Sequence, residues 1–81
     1  MTTEEFIKKM RALGIIVNTL KAGKMEIVQY GTNHRGEGVQ YVIGTLCNNE
    51  ARTLYMICSK ENRQFFDIAY EYDITPVGER G

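Results

Sequence analysis

The chain has 81 residues, with ten basic and ten acidic side chains and therefore a formal net charge of zero. This length predicts one domain, and the balanced charge argues against nucleic-acid binding, which normally shows a basic excess. Two cysteines and one histidine are too few for a secreted disulfide scaffold or an ordinary zinc site, so we expect no metal or other cofactor.

The chain carries no pattern of membrane insertion. Apolar runs such as Ile15-Ile16-Val17 are far shorter than a membrane span. The first five residues are polar and acidic at most positions, unlike a signal peptide. We therefore expect a cytoplasmic protein without membrane contact.

The first predicted element is a helix that ends near Gly14. Thr2 stands three residues before Glu5, which is the spacing of a capping box, and Gly14 fits the position just past a helix end. A longer helix to Lys21 is the alternative, but the mostly β-branched residues of segment 15–19 form helices poorly. The residues that recur at helical spacing are Phe6, Met10 and Leu13.

Five further segments are predicted to be strands, and turn-forming residues separate them. Together with the helix they predict an α+β fold, in which the N-terminal helix packs on a four- to five-stranded, mostly antiparallel sheet. The compact domain spans residues 1–74, and the proline- and glycine-containing segment 75–81 is expected to be a flexible tail. The predicted strands are Ile15–Leu20, Met25–Tyr30, Val39–Cys47, Arg52–Ser59 and Phe66–Ile74.

The last of these segments, Phe66–Ile74, alternates between large apolar residues and residues that are acidic or small. This period of two favours a strand, although a helix over Glu61–Tyr70 is the alternative. In the strand, one face would carry Asp67, Glu71 and Asp73. Such a row is typical of the solvated side of an edge strand, and we interpret it as a candidate partner-binding surface.

The hairpin formed by Val39–Cys47 and Arg52–Ser59 is apolar on both of its faces. A turn centred in residues 48–51 would place Gly44 opposite Tyr55. A single amphipathic helix covers only one face of a sheet. The uncovered face therefore predicts a protein partner, and a homodimer is the simplest form because self-association stabilises a chain this short.

The segment Gly31–Gly38 combines three glycines with the only histidine and an adjacent arginine. Glycines allow close backbone approach, Arg35 suits a carboxylate or phosphate, and His34 donates hydrogen bonds. The segment matches neither a Walker loop nor a dinucleotide fingerprint, and a solvated hairpin connection is the simpler interpretation. The candidate partner-binding residues that it offers are Asn33, His34, Arg35 and Glu37.

Catalysis is not expected from this sequence. The only conventional nucleophile and base candidates are Cys47, Cys58 and His34, and both cysteines fall in apolar strands, where a free thiol is usually inert. No motif of a serine hydrolase, a zinc protease or a dithiol redox protein occurs. No catalytic residue is therefore assigned.

These features predict a small non-enzymatic binding protein that acts by protein–protein contact. Motif-poor domains of this size are frequent in phages and mobile elements, so by analogy we expect an inhibitor of a host defence protein that acts by steric occlusion. Either the acidic row or the glycine segment would make the contact. Two alternatives remain open: an oligomeric protein that sequesters a nucleotide or another anion on Gly31–Gly38, and an accessory structural subunit of a larger complex.

Overall fold

In the computed structural model, which describes residues 1–81, the chain forms a four-stranded antiparallel sheet and two α-helices. The strands lie side by side in chain order, each paired with the next. The α+β fold with an N-terminal helix on an antiparallel sheet is therefore confirmed. The elements are α1 (Thr3–Ala12), β1 (Ile15–Thr19), β2 (Lys24–Thr32), β3 (Gly38–Cys47), β4 (Tyr55–Met56) and α2 (Arg63–Asp73).

Helix α1 begins and ends where the sequence predicts. The Thr2 hydroxyl accepts the Glu5 amide at 3.1 Å, and the Glu5 carboxylate accepts the Thr2 amide at 3.0 Å, which completes a capping box. The hydrogen bond donated by the Thr2 backbone amide holds the pKa of the Glu5 carboxyl below its ordinary value because it stabilises the charged form. Gly14 has a φ of +79°, a conformation that glycine adopts without strain, and β1 follows at once. The longer helix to Lys21 does not form.

The core lies between the two helices and one face of the sheet, which we call the inner face. The ring of Phe6 on α1 stacks on the ring of Tyr72 on α2 at a centroid distance of 4.4 Å, so the helices contact each other over the strands. Both rings are fully buried. The buried residues of this single cluster are Phe6, Met10, Ile15, Met25, Ile27, Ile43, Leu46, Ala69 and Tyr72.

The prediction of a strand over Phe66–Ile74 was wrong, because this segment belongs to helix α2. Ala69, which a strand would have placed among the acidic residues, is fully buried in the core. The residues of α2 that contact the core are Phe65, Ile68, Ala69 and Tyr72, a helical spacing. Since apolar residues are dense here, a period of two fits the sequence as well, and only the contact with α1 selects the helix.

The second strand of the predicted hairpin is shorter than expected and is shifted by one residue. Gly44 lies opposite Met56 rather than Tyr55. The reason is the buried carboxylate of Asp73, whose Oδ1 accepts the amides of Thr53 and Leu54 at 2.9 and 3.2 Å. These two amides are therefore bound to α2, and only Tyr55–Met56 pairs with β3.

The segment 75–81, for which a flexible tail is expected from the sequence, contacts the domain through the buried side chain of Arg80. Arg80 is only 2 % exposed, and its guanidinium lies 4.5 Å from the centroid of the Tyr72 ring. Its backbone carbonyl accepts the amide of Thr3 at 2.7 Å, at the start of α1. The carbonyls that accept hydrogen bonds from the guanidinium belong to Cys47, Asn48, Glu50, Asp73 and Thr75, at 2.8 to 3.4 Å.

Replacing Arg80 by alanine should lower the free energy of unfolding by about 2–4 kcal/mol, because several buried carbonyls lose their donor. Urea denaturation followed by circular dichroism measures this change. The matched control is Arg11→Ala, since Arg11 is exposed on α1 and should change stability by less than about 0.5 kcal/mol. Equal effects of the two substitutions would refute a structural role for the tail.

Candidate functional site

Strands β2 and β3 extend beyond the rest of the sheet as a two-stranded arm. The outermost pair between β1 and β2 joins Ile15 to Gln29, whereas β2 and β3 continue for three further pairs to Thr32 and Gly38. We define the arm as residues 30–40. It contributes to the elongated shape of the molecule, which measures 44 × 27 × 20 Å, and it carries the glycine segment at its end.

The tip of the arm is organised by the side chain of Asn33. Its Oδ1 accepts the amides of Arg35 at 2.9 Å and Glu37 at 3.1 Å, and its backbone carbonyl accepts the amide of Gly36 at 3.0 Å. The Asn33 amide in turn donates to the Glu37 carbonyl at 3.0 Å. Asparagine is favoured in turns for this reason, since its side chain reaches the backbone two residues later. Four hydrogen bonds among residues 33–37 therefore support the conformation of the tip.

Two positions of the arm require glycine, each for a different structural reason. Gly36 has a φ of +78°, which the turn requires and which side chains disfavour. Gly31 lies under the ring of Tyr41, where an added Cβ would be only 2.8 Å from the ring carbon Cε2. Tyr41 can therefore lie across the arm, with its hydroxyl 3.5 Å from the carbonyl oxygen of Thr32.

The predicted loop residues Asn33, His34, Arg35 and Glu37 lie together at the tip. His34 and Arg35 are exposed, and neither side chain has a hydrogen bond or ion pair within the chain, whereas Glu37 accepts a hydrogen bond from Asn33 Nδ2 at 3.3 Å. An imidazole and a guanidinium thus project from a rigid turn. The exposed rings of Tyr30 and Tyr41 were not among the predicted contact residues. Gly31 lies diagonally across from Tyr41 on the paired strand, and a glycine in that position could have indicated that the Tyr41 ring lies over the arm.

The second predicted contact surface, the acidic row, does not exist. Asp67 and Glu71 are exposed on α2, and Asp67 pairs with Arg63 at 3.2 Å. Asp73 is 5 % exposed and points away from them, toward the amides of Thr53 and Leu54. Residues four apart share a side of a helix and residues six apart do not, so Asp67 and Glu71 stay neighbours while Asp73 is separated from them.

The conventional catalytic groups are not brought together. Eight residues of β3 lie between Gly38, next to the tip, and Cys47, which places His34 on the order of 30 Å from that thiol. Both cysteines are free, and Cys58 is exposed rather than inside a strand as expected. No group of three or more His, Cys, Asp or Glu side chains is placed to hold a metal ion.

Comparison with known proteins gives no match: no family model fits the chain, and neither a curated protein nor a solved structure is similar to it. Neither helix has the length and apolar character that crossing a membrane requires.

Replacing Asn33 by alanine should loosen the tip without unfolding the domain, because the amides of Arg35 and Glu37 lose their shared acceptor. We expect these two amides to exchange with deuterium about five-fold faster, which corresponds to the loss of about 1 kcal/mol of local stability. Hydrogen exchange read by NMR measures this change. Asn18→Ala, an equivalent substitution on β1 with no side-chain bond to lose, should leave both rates unchanged. Unaltered exchange in the Asn33 variant would contradict the role of its side chain.

Proposed function

We propose that this protein is a non-enzymatic binding protein that contacts another protein through the tip of the arm. The observation that supports the proposal is that His34 and Arg35 are adjacent and exposed on a tip whose shape the Asn33 side chain maintains. Ordering a loop costs free energy when a complex forms, and a preorganised tip avoids most of that cost. The exposed rings of Tyr30 and Tyr41 add large contact surfaces nearby.

The chemistry of the tip suits a partner with an acidic recess. The guanidinium of Arg35 can bind a carboxylate through two parallel hydrogen bonds, and the imidazole of His34 beside it can donate one more. Arginine and tyrosine are also enriched at the centres of protein interfaces. A two-stranded ribbon is narrow enough to enter a groove, where its bulk would exclude other ligands of that partner.

The alternative of anion sequestration at Gly31–Gly38 is less well supported. An anion cradle needs a run of free backbone amides. Those of Arg35, Gly36 and Glu37 already donate to Asn33, whose side chain occupies the position that an anion would take. Two more specific predictions remain, and both involve binding to another protein. One is inhibition of a host defence protein by steric occlusion, and the other is the role of an accessory subunit in a larger complex.

The first experiment identifies proteins that bind at the tip. A photoreactive amino acid in place of Thr32, which is exposed beside the tip, cross-links partners in extracts of the native host, and mass spectrometry identifies them. A true partner should be recovered with this chain and with the same chain carrying Lys9→Ala/Arg11→Ala, a control on the exposed side of α1. His34→Ala/Arg35→Ala should weaken binding of the purified partner by about 10- to 100-fold in calorimetry. Equal affinities for both double variants would refute the proposal.

The charge of the partner surface can be tested separately. If Arg35 meets carboxylates, Arg35→Glu should bind the partner about ten-fold more weakly than Arg35→Ala, because like charges then face each other. The difference should shrink as salt is raised, since mobile ions screen exposed charges. An Arg35→Glu variant that binds as well as Arg35→Ala would exclude the acidic recess and leave the tip as a neutral contact.

A further inference from the structure

The face of the sheet opposite the helices, which we call the outer face, carries a continuous apolar patch. Directly opposite residues on paired strands share a face, so Ile16, Val28 and Val42 form one row across three strands. Tyr55, which pairs with Thr45, and Ile57, two residues further on, extend the patch beside that row. None of these five residues belongs to the core cluster or is packed against it.

No other element of the chain covers the outer face, because α1 and α2 both lie on the inner face. Val42 is 49 % exposed, Tyr55 80 % and Ile57 58 %. Val28, at the centre of the row, is nevertheless only 2 % exposed, so its neighbours already exclude water from it. An antiparallel sheet with one free face normally carries polar residues there, and a contiguous apolar patch marks an interaction surface.

We propose that the outer face is the dimer interface and that a second copy of this chain covers it. The charges of the face support a copy over a charged partner. Among all residues of the four strands, only Lys24 and Glu26 are charged, and they have opposite signs. A two-fold axis places a patch against itself, so a patch of either net charge would repel its copy. This patch has none, and neither has the whole chain.

The patch can form the apolar centre of a small dimer, but a polar rim must supply more than half of the buried area. From their exposed fractions, the residues Val42, Tyr55 and Ile57 offer on the order of 350 Å² of surface per copy. A stable interface buries about 800 Å² per partner and combines an apolar centre with a polar rim. The rim here would come from the neighbouring outer-face residues Asn18, Lys24, Glu26, Gln40 and Thr45. Two such sheets can pack face to face about 10 Å apart, as in a β-sandwich.

The inference goes beyond the proposed function because it concerns a different surface. His34 and Arg35 lie at the far end of the β2–β3 hairpin, outside the patch. The dimer would therefore carry two arms, and each arm keeps its tip for a partner protein. Substitution at the tip should leave the dimer intact, so each hypothesis can fail without the other.

Sedimentation equilibrium between about 1 and 300 µM chain tests the dimer directly, since this range covers micromolar dissociation constants. We expect the wild-type chain to approach twice its monomer mass. Tyr55→Lys/Ile57→Lys should weaken association at least ten-fold. Removing water from the lysine ammonium groups costs free energy, and the lysines of the two copies repel each other across the two-fold axis. Tyr70→Lys/Ile74→Lys is the matched control, since it replaces the same exposed residue types at the C-terminal end of α2 and adds the same charge.

Mixing two variants shows whether the same patch meets itself. Tyr55→Glu/Ile57→Glu should be monomeric alone, for the same reason as the lysine variant. An equimolar mixture of the glutamate and lysine variants should form a heterodimer, detected by native mass spectrometry, because opposite charges then face each other. Val42→Lys, on a neighbouring strand, gives an independent disruption if either double variant unfolds.

Two outcomes would overturn the inference. One is a wild-type chain that stays monomeric over the whole concentration range. If Tyr55→Lys/Ile57→Lys then also loses the partner protein, that protein and not a second copy covers the outer face. The other is a dimer that Tyr70→Lys/Ile74→Lys dissociates and the outer-face variants do not. In His34→Ala/Arg35→Ala, an unchanged dimer together with lost partner binding supports both proposals independently.

Discussion

The fold depends on one buried cation, the guanidinium of Arg80, which has no carboxylate partner and is stabilised by hydrogen bonds to backbone carbonyls. Burying a charge is costly unless hydrogen bonds replace its water, and here five carbonyls and the face of Tyr72 do so. Two of these carbonyls, from Asp73 and Thr75, lie at the C-terminal end of α2, the negative end of the helix dipole. The last turn of α2 has no basic residue of its own, so Arg80 supplies that charge from outside the helix. The backbone carbonyl of Arg80 binds the start of α1, and its guanidinium binds the connection between β3 and β4 and the end of α2, so three parts of the chain meet at one residue.

The position of α2 determines what the sheet leaves open. Because Phe6 and Tyr72 stack on each other, the second helix packs beside the first and not on the opposite side of the sheet. The inner face gains two covering helices, and the outer face gains none. Asp73, at the end of the same helix, binds the amides of Thr53 and Leu54 and so shortens β4. The exposed apolar patch and the short edge strand are therefore two consequences of where one helix packs.

The arm follows from unequal strand lengths. β2 and β3 have nine and ten residues, whereas β1 has five and β4 has two, so the central hairpin outlasts its neighbours at the end that carries the turn. Such a ribbon lacks a core of its own, and its shape depends on local contacts. Asn33 supplies them at the tip, and Tyr41 packed over Gly31 supplies them along the strands. Several residues of the Gly31–Gly38 segment therefore have structural roles in the arm. The side chains of His34 and Arg35 have none, which leaves them available for a partner.

Elements that depend on neighbouring residues could be predicted from the sequence alone. The capping box, the end of α1 at Gly14 and the β2–β3 hairpin are all set by contacts or backbone preferences within a few residues, and so is the placement of Asn33, His34, Arg35 and Glu37 on one turn. The remainder depended on contacts between distant residues. Segment 66–74 satisfies both a period of two and a helical period, and only the Phe6–Tyr72 contact selects the helix. Three further features follow from the helical form of this segment. Asp73 at its end determines the register of β4, the helix separates Asp73 from Asp67 and Glu71, and the carbonyls at its C-terminal end bind the buried Arg80.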